Sequence, residues 1–369
     1  MLITRNFPPL TGGMERLMEH MALGLSSQAE LTIVGPKGCG KYSPTGTQVC
    51  ETSPSLVPFI LFSLWHGIRR CSETDFKLII GGSGLTAPTL VLLRLLFRAK
   101  TMVFVHGLDL VVNSLIYQKL FIPAIRSIDC VIANSRNTAE IATQKGVDPS
   151  RITIINPGTT IPIPGSIETR NAFLKRHDIP FEKVILFAGR ITRRKGLSRF
   201  IQSCLPSIVA SAPEAGLIVV GENPDQGLTN LGEGKEIIEL VDKLHLSTKV
   251  RFLGQLDDSE LLASFAAADV HVLPLIDVAG DIEGFGMVAI EAAACGTPTV
   301  GFSVGGVTDA ISPMNGELIE PERHDLLAAA IIARLRNNSS DEQACIEHAR
   351  NFRWEVYNDK ISKVIQSML

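Results

Sequence analysis

The chain has 369 residues, of which 45% are hydrophobic and 20% charged, with a formal net charge of −3. The hydrophobic content excludes a disordered chain, the net charge gives no reason to expect a nucleic-acid partner, and the length favours two domains over one. Residues 1–165 carry 15 basic and 10 acidic side chains, a net charge of +5. The rest of the chain carries 20 basic and 28 acidic side chains, a net charge of −8. The basic first half is suited to an anionic surface.

Cysteine usage and the N-terminal sequence predict a cytoplasmic protein. The seven cysteines include no Cys-x-x-Cys pair, which indicates a reducing compartment and no structural zinc. Arg5 falls where a signal peptide needs its apolar core. The longest uncharged stretch, residues 52–68, contains Pro54 and Pro58 and is too short and too broken to span a bilayer.

Short apolar runs alternate with helical patterns along the whole chain. The runs predicted as buried strands are LTIV (31–34), KLIIGG (77–82), MVFVHG (102–107), CVIANS (130–135), ITIINPG (152–158), VILFAG (184–189), LIVVG (217–221), VRFLG (250–254), VHVLP (270–274) and TPTVGF (297–302). Continuous apolar strands with helices between them predict parallel sheets covered on both faces. The Pro- and Gly-rich segment 156–165 is the expected linker between two doubly wound α/β domains, and residues 352–369 show the pattern of an amphipathic helix.

Ligands of open α/β sheets bind beyond the carboxyl ends of the strands, so the loops there are the candidate sites. The first such loop, residues 6–13, precedes a helix predicted to begin near Met14, and Gly12 and Gly13 would place backbone amides at its start. Another, FVHGLD (104–109), puts His106 directly after a strand with Asp109 nearby. His106 is interpreted either as a substrate contact or as a structural residue.

One apparent phosphate-binding motif is rejected. Residues 35–42, GPKGCGKY, have the spacing of a P-loop, but Tyr42 stands where the magnesium-binding Ser or Thr is needed. Pro44 also argues against the helix that such a loop must open.

The loop AGRITRRKG (188–196) follows a predicted strand and is strongly basic. Arg190 and Lys195 flank a bend, with Arg193 and Arg194 between them. Cations at the mouth of a sheet would stabilise a diphosphate leaving group as its charge grows. The alternative is an ordinary solvated basic loop.

The stretch EGFGMVAIEAAACGTPTVG (283–301) combines a glycine bend, a helix start and the carboxylates Glu283 and Glu291. Gly284 and Gly286 allow a close approach of the backbone, and the amides from Phe285 to Val288 would favour an anion. Because carboxylates repel a bare phosphate, they fit a ligand with central phosphates and hydroxyl-rich sugars at both ends. On the alternative interpretation, Glu283 caps the helix and Glu291 lies on the surface.

Taken together, these motifs resemble glycosyltransferase family 4, the retaining sugar-nucleotide transferases of the GT-B fold, and within it the phosphatidylinositol mannosyltransferases. The matching residues, in order, are Phe7-Pro8-Pro9, Gly12-Gly13-Met14-Glu15, His106-Gly107-x-Asp109, Gly189-Arg190, Lys195-Gly196, Glu283-Gly284-Phe285-Gly286, Glu291, Cys295-Gly296-Thr297-Pro298, Gly305-Gly306-x-x-Asp309 and Asn315-Gly316. The segment after Asn156-Pro157-Gly158 lacks the Asp that many relatives have there.

The resemblance implies a role for each candidate residue. The catalytic set is His106, Arg190, Lys195 and Glu283, and the donor-binding set is Gly12, Gly13, Gly189, Arg190, Lys195, Gly254, Leu256, Glu283, Gly284, Phe285, Gly286, Met287, Val288 and Glu291. Within these sets, Arg190 and Lys195 would bind the diphosphate, Glu283 the sugar hydroxyls and Glu291 the ribose. His106 would contact the sugar near the reacting carbon, and the base would lie near residues 254–256.

The resemblance also implies the architecture and the reaction. Residues 1–160 and 352–369 would form an acceptor-side Rossmann-like domain, residues 161–351 would form the nucleotide-sugar domain, and the two would face a central cleft. The expected reaction moves mannose, glucose or N-acetylglucosamine from GDP-mannose or a UDP-sugar to a lipid-linked or glycan acceptor in polysaccharide or glycolipid synthesis. Neither a metal nor another cofactor is expected. Residues 56–71 and 85–100 combine apolar residues with Arg69, Arg70, Arg94, Arg98 and Lys100, so they are interpreted either as helices that hold a cytoplasmic protein at the anionic inner face of the membrane or as core helices with basic ends. The alternatives are a GT-B sugar-nucleotide epimerase and a non-catalytic nucleotide-sugar-binding protein.

Overall fold

A computed structural model describes residues 1–163, 165–222, 234–337 and 342–369. The chain divides into two compact units, the first formed by Met1–Gly158 with Trp354–Leu369 and the second by Thr159–Arg353. The divisions lie within two residues of the boundaries expected from the sequence. Pro164, in the expected linker, lies outside the described residues.

The first unit is built on a seven-stranded parallel sheet. Its strands are β1 (Leu2–Ile3), β2 (Thr32–Pro36), β3 (Gln48–Thr52), β4 (Leu78–Gly81), β5 (Lys100–Val105), β6 (Cys130–Ala133) and β7 (Ile152–Ile154). They run in the order β3-β2-β1-β4-β5-β6-β7. The order reverses direction between β1 and β4, as in a Rossmann sheet. The edge strand β3, whose side chains are partly exposed and polar, was not predicted.

Helices cover both faces of this sheet. They are α1 (Gly13–Ser26), α2 (Leu56–Glu73), α3 (Ala87–Phe97), α4 (Leu108–Val111), α5 (Ile122–Ser127) and α6 (Arg136–Gln144). Because parallel crossovers are right-handed, connections that run in opposite directions along the sheet place their helices on opposite faces. Therefore α2, α3 and α5 share one face, whereas α1 lies on the other.

The second unit repeats the arrangement with six parallel strands. They are β8 (Lys183–Ala188), β9 (Ala215–Val220), β10 (Val250–Gly254), β11 (Val270–Leu273), β12 (Thr299–Phe302) and β13 (Gly316–Ile319), in the order β10-β9-β8-β11-β12-β13. The strands β8, β9, β11 and β12 are almost wholly buried, which explains their continuous apolar sequences. The reversal of strand order falls between β8 and β11, and the edge strand β13 was not predicted.

The helices of the second unit are short. They are α7 (Arg170–Arg176), α8 (Leu197–Ser203), α9 (Leu205–Ser211), α10 (Gly234–Lys243), α11 (Asp258–Ala267), α12 (Met287–Ala294), α13 (Val307–Ala310), α14 (His324–Arg336) and α15 (Glu342–Arg350). Apolar side chains of α8, α9 and α14 pack with strands of the sheet in one buried cluster. The two sheets and their helices confirm the predicted fold class of two doubly wound, Rossmann-like α/β units.

The last helix, α16 (Trp354–Met368), belongs to the first unit. The Trp354 ring stacks on the His20 ring of α1, with 4.0 Å between their centroids. The Gln28 side-chain amide, just beyond α1, donates a hydrogen bond of 2.7 Å to the Ser362 hydroxyl. The predicted return of the chain to the first unit is therefore confirmed.

Neither a membrane-spanning helix nor a P-loop was expected from the sequence. Within the described residues, no helix is both long enough and apolar enough to cross a membrane. The segment with P-loop spacing forms a single turn of 3₁₀ helix, Cys39–Lys41, and the next element is strand β3 rather than a helix. The rejection of a P-loop is confirmed.

Candidate functional site

The strongest candidate site lies at the reversal of strand order in the second unit. β8 and β11 are neighbours there, so the loops that follow them emerge side by side. The loop after β8 carries Lys195, and the loop after β11 carries Glu283. The fold therefore places the two sequence-predicted loops at one point of the sheet edge.

Backbone contacts hold the basic loop in place. Residues Arg193–Lys195 form a 3₁₀ turn that ends at Gly196, where φ is +71°. A side chain at Gly196 would collide with the Pro274 carbonyl, which explains why glycine is needed there. The Ile276 N–H donates a 2.8 Å hydrogen bond to the Arg194 carbonyl, so this loop is fastened directly to the loop after β11.

A buried network of four charges joins the two loops. Lys195 Nζ lies 2.8 Å from Glu283 Oε2, Arg194 Nη1 also pairs with Glu283 Oε2, and Arg194 Nε lies 3.0 Å from Asp281 Oδ1. The four side chains are only 8–12% exposed. The structure thus brings together Lys195 and Glu283, as expected, and adds Arg194 and Asp281. It places Arg194 within the site rather than on a solvated loop.

The network fixes the ionisation of Glu283. Burial alone would raise the pKa of its carboxyl, but Lys195 and then Arg194 outweigh burial and lower it to about 2. Burial lowers the pKa of the Lys195 ammonium, whereas Glu283 opposes that shift. Because Glu283 is held by two cations, we conclude that it is a carboxylate at neutral pH and can only accept hydrogen bonds.

Two other residues of the basic loop border this network. Gly189, with φ of +143°, lies beside the Lys195 side chain: a Cβ at Gly189 would be 3.6 Å from Lys195 Cε. Arg190 is exposed, and its charge contributes to lowering the pKa of Lys195. Arg190 is therefore close enough to act electrostatically on the network, although it lies outside its ion pairs.

The glycine bend leads directly into α12. Gly286 precedes the helix with φ of +89°, a left-handed conformation that suits glycine. The Glu283 carbonyl accepts a 2.9 Å hydrogen bond from the Gly306 N–H, and Phe285 is buried. The bend is thereby fixed so that the N–H groups of Met287 and Val288 lie at the start of the helix.

Glu291 lies one turn further along α12 and is buried, so its interpretation as a surface residue is wrong. Burial, with a further contribution from Glu291, raises the pKa of the Cys295 thiol to about 12. A carboxylate buried at this position is consistent with a binding role.

The predicted contacts for the base occupy the end of β10. The Gly254 carbonyl accepts a 2.8 Å hydrogen bond from the Gly221 N–H, and among the described residues, apart from its two chain neighbours, none comes within 4 Å of where a Gly254 Cβ would be. Leu256 is half-buried and packs against the apolar cluster that includes part of α12. The described residues therefore leave room for a ligand beside Gly254.

The first unit presents its own predicted residues at the carboxyl edge of its sheet. His106 Nε2 lies 2.9 Å from the Gly82 carbonyl and donates a hydrogen bond to it. The Asp109 carboxylate accepts hydrogen bonds from the His106 N–H at 2.8 Å and from the Gly84 N–H at 2.9 Å. Asp109 therefore ties the loop after β5 to the loop after β4.

Gly12 and Gly13 are also at this edge. Gly12 precedes α1 with φ of 151° and carries no side chain that could cap the helix. The Glu15 side chain lies against Gly12 and accepts a 2.8 Å hydrogen bond from the Asn6 amide. This arrangement places backbone amides at a helix start, as predicted, next to an acidic side chain.

A buried histidine of the second unit was not recognised in the sequence. His271 on β11 is fully buried, and its Nδ1 lies 3.0 Å from the Thr299 hydroxyl. Its Nε2 has no hydrogen-bond partner within the described ranges. Burial, and then the Lys195 charge, lower the pKa of His271 to about 3. The only signal in the sequence was a polar residue inside the apolar run VHVLP.

Comparison with known families identifies the chain. The family model described as "Glycosyl transferases group 1" matches residues 170–352, and the model "Glycosyltransferase Family 4" matches residues 11–161. The chain belongs to glycosyltransferase family 4. The two matches together extend over both units, so the resemblance recognised from sequence motifs is confirmed.

Curated relatives carry a consistent name. The D-inositol 3-phosphate glycosyltransferase of Mycobacterium marinum is 32% identical over 242 residues, which are 63% of this chain and 49% of that protein. The enzyme of the same name from Segniliparus rotundus is 31% identical over 238 residues, covering 63% of this chain and 50% of that protein. The matched region is therefore about half the length of these curated relatives.

Solved structures support the fold of this family 4 protein along its length. Sucrose-phosphate synthase from Thermosynechococcus elongatus superposes with a TM-score of 0.78 at 22% identity, covering 100% of this chain and 98% of that one. HepE of Anabaena, solved with UDP and glucose, gives 0.79 at 19% identity, with 99% of each chain covered. At these identities the likeness shows the GT-B fold.

Proposed function

We propose that the protein is a retaining hexosyltransferase that uses a nucleotide diphosphate sugar as donor. The observation that carries the proposal is the buried network of Lys195, Arg194, Glu283 and Asp281, located beside the start of α12 at the reversal of strand order. Cations, helix amides and an ionised carboxylate at one place suit a ligand that has both phosphates and sugar hydroxyls.

Each group has a chemical task in this proposal. Lys195 and the exposed Arg190 would neutralise the diphosphate as it leaves, and the amides at residues 285–288 would donate to its oxygens. Glu283, held ionised, would accept hydrogen bonds from the sugar hydroxyls. Glu291 would accept from the ribose.

The sugar would be transferred with retention of anomeric configuration. The acceptor hydroxyl would attack the anomeric carbon on the face from which the diphosphate departs, as the bond to the diphosphate breaks. A non-bridging oxygen of the leaving diphosphate would take the acceptor proton. Because Glu283 is engaged by two cations, it is a poor candidate for a covalent nucleophile.

The donor and the acceptor are proposed by class. Candidate donors are UDP-glucose, UDP-N-acetylglucosamine and GDP-mannose; a UDP-sugar is supported by HepE, whose structure was also solved with UDP-glucose. The acceptor would be a hydroxyl of a lipid-linked or glycan molecule in envelope polysaccharide or glycolipid synthesis. An inositol phosphate deserves inclusion among the acceptors tested, since the curated relatives are named for it.

The test is a thermal-shift screen of these donors, followed by transfer assays. Lys195→Ala should abolish the donor-induced shift and reduce transfer at least a hundredfold, because a fixed cation at the leaving group is lost. Arg193→Ala is the matched control, since Arg193 is the exposed cation two positions away. NMR of the product should show the donor's anomeric configuration. Inversion, epimerised donor without a glycoside product, or unchanged turnover in Lys195→Ala would each reject the proposal.

A further inference from the structure

Asp281 lies in a tight turn just ahead of the glycine bend. Its N–H donates a 3.0 Å hydrogen bond to the Val278 carbonyl, and the two residues also form an antiparallel β-bridge. Between them, Gly280 has φ of +80°, and among the described residues, apart from its chain neighbours, none lies within 4 Å of where its Cβ would be. The turn therefore fixes the backbone of Asp281 and leaves open space beside it.

Arg194 orients two carboxylates at once. Its Nε lies 3.0 Å from Asp281 Oδ1, and its Nη1 pairs with Glu283 Oε2. The second oxygen of each carboxylate, Asp281 Oδ2 and Glu283 Oε1, accepts no hydrogen bond within the part of the chain that the structure describes. We call these two atoms the free oxygens. One guanidinium thus holds both side chains and leaves one acceptor on each.

The free oxygens are in contact with solvent, although the side chains of Asp281 and Glu283 are only 11% and 12% exposed. Asn134, by contrast, has an oxygen that is fully buried and without a hydrogen-bond partner among the described residues, and neither Asp281 nor Glu283 has such an atom. The small exposed area of these two side chains therefore includes the free oxygens. Each carboxylate is rigidly held and mostly buried, with one acceptor at the surface of the site.

The charge of the network indicates which ligand suits the free oxygens. Asp281 and Glu283 carry two negative charges, and Arg194 and Lys195 carry two positive charges, so the four side chains are neutral together. A divalent cation would gain little net attraction from a neutral network, and an anionic group would meet two carboxylate oxygens directly. A neutral hydroxyl meets neither obstacle, and its hydrogen bond to a carboxylate is stronger than one between neutral groups.

We propose that Asp281 is a specificity-determining residue, which together with Glu283 binds two different hydroxyl groups of the donor's hexose through the free oxygens. Lys195, in contact with Glu283, would hold the diphosphate next to this pair. A site that binds a substrate hydroxyl discriminates against a sugar that lacks it. The pair therefore selects a neutral hexose with both hydroxyls intact and disfavours a uronic acid. The inference rests on the proposed function and deepens it by naming the class of sugar.

Isothermal titration of Asp281→Ala separates recognition of the sugar from recognition of the nucleotide. The ligands are UDP-glucose and GDP-mannose, each compared with its nucleoside diphosphate alone. In Asp281→Ala, the Kd of the nucleotide sugar should rise roughly tenfold or more, because one hydrogen bond to a charged group is lost. The Kd of UDP or GDP alone should change less than about twofold, because Lys195 and Glu283 keep their contact.

Two further variants support the comparison. The matched control is Asp277→Ala, which removes an exposed carboxylate four positions earlier in the same loop and should bind every ligand like the wild type. Asp281→Asn keeps the shape of the side chain and an acceptor for Arg194, so it replaces the alanine variant if that variant fails to fold in thermal unfolding. Its Kd for the nucleotide sugar should lie between those of the wild type and Asp281→Ala, because an amide can still hydrogen-bond a hydroxyl.

A uronic acid donor tests the charge of the site. UDP-glucuronic acid carries a carboxylate where UDP-glucose has a hydroxymethyl group, and it should bind the wild type roughly tenfold more weakly because it meets the free oxygens. If GDP-mannose is the sugar nucleotide that binds, GDP-mannuronic acid takes its place. Asp281→Asn removes one negative charge and should narrow the ratio, whereas Asp277→Ala should leave it unchanged. A ratio that is the same in Asp281→Asn and in the wild type would overturn the proposal.

Three other results would contradict the role of Asp281. Equal weakening of the nucleoside diphosphate and the nucleotide sugar in Asp281→Ala would restrict Asp281 to support of the diphosphate site. Unchanged affinity for the sugar nucleotide with a raised KM for the acceptor would assign the free oxygens to the acceptor. Loss of sugar affinity in the wild type on addition of EDTA would assign them to a divalent cation. In each case a donor still binds and the proposed function stands, whereas a wild type that binds no nucleotide sugar would reject both proposals.

Discussion

Arg194→Gln should uncouple the two loops of the candidate site. The guanidinium holds both Glu283 and Asp281, and its side chain is 8% exposed. Removing one partner of a buried ion pair costs about 3–5 kcal/mol, because the remaining charge is left without compensation. Since Glu283 keeps Lys195, we expect the lower end, about 3 kcal/mol. That corresponds to a fall in Tm of roughly 6–12 °C for a unit of this size.

Ligand binding should weaken as well. With Arg194 absent, Lys195 is the only cation of the network left to Glu283, so it would have to abandon that carboxylate to reach a diphosphate. One charged hydrogen bond is worth about 1.5–3 kcal/mol, which predicts an increase in the donor's Kd of roughly 10- to 150-fold. Isothermal titration with the donor found in the screen measures this change.

The acid dependence of stability provides a separate check. The folded-state pKa of Glu283, about 2, lies below its ordinary value of 4.5, so the stability it contributes is present above pH 4.5 and lost toward pH 2. Removing Arg194 should raise that pKa and shrink the loss. Urea unfolding across this range is the assay, with Arg193→Gln, at an exposed position, as the control expected within about 0.5 kcal/mol of wild type. If Arg194→Gln and the control unfold alike, the network has no energetic role.

Three further changes test other parts of the structure. His271 has a folded pKa of about 3 against an ordinary 6.5, so its stability contribution is lost as the pH falls below 6.5; His271→Gln should reduce the fall in unfolding free energy between pH 6.5 and 4.5 by roughly 2 kcal/mol. An unchanged pH slope would contradict this assignment. Gly196→Ala should lower Tm more than Gly280→Ala, because both have positive φ but only Gly196 is crowded; equal losses would exclude the steric argument. Asp109→Ala leaves backbone donors unpaired and should cost about 1–3 kcal/mol in urea unfolding, with the NMR signals of His106 shifted; unshifted signals would show that Asp109 does not position the loop.

The sequence predicted the central strands well because a parallel sheet buries both faces and leaves continuous apolar runs. The edge strands β3 and β13 were not predicted, because each is solvated on one side and contains an exposed polar residue, Glu51 in β3 and Glu317 in β13. These two strands therefore lack the signal on which the prediction relied, whereas the edge strands β7 and β10, with the mostly apolar sequences ITI and VRFLG, were predicted. Their pairing comes from the tertiary arrangement rather than from local composition.

The candidate site was predictable in part. The spacing and strand-end positions of Lys195 and Glu283 indicated a shared site, and their 2.8 Å contact bears this out. The sequence did not show whether Arg193 or Arg194 is the buried cation. The two side chains are chemically identical and differ only in the direction that the 3₁₀ turn gives them. Asp281 was missed because a carboxylate in a polar loop carries no periodic signal.

The return of α16 to the first unit affects the order in which the chain is completed during translation. The ribosome releases residues 1–158 first, yet the helix that stacks on His20 through Trp354 is synthesised only after the whole second unit. The second unit is continuous in the chain, whereas the first unit is complete only when α16 packs on α1. A released chain that ends at residue 353 should therefore have a first unit that protease cuts more readily than the first unit of the full chain.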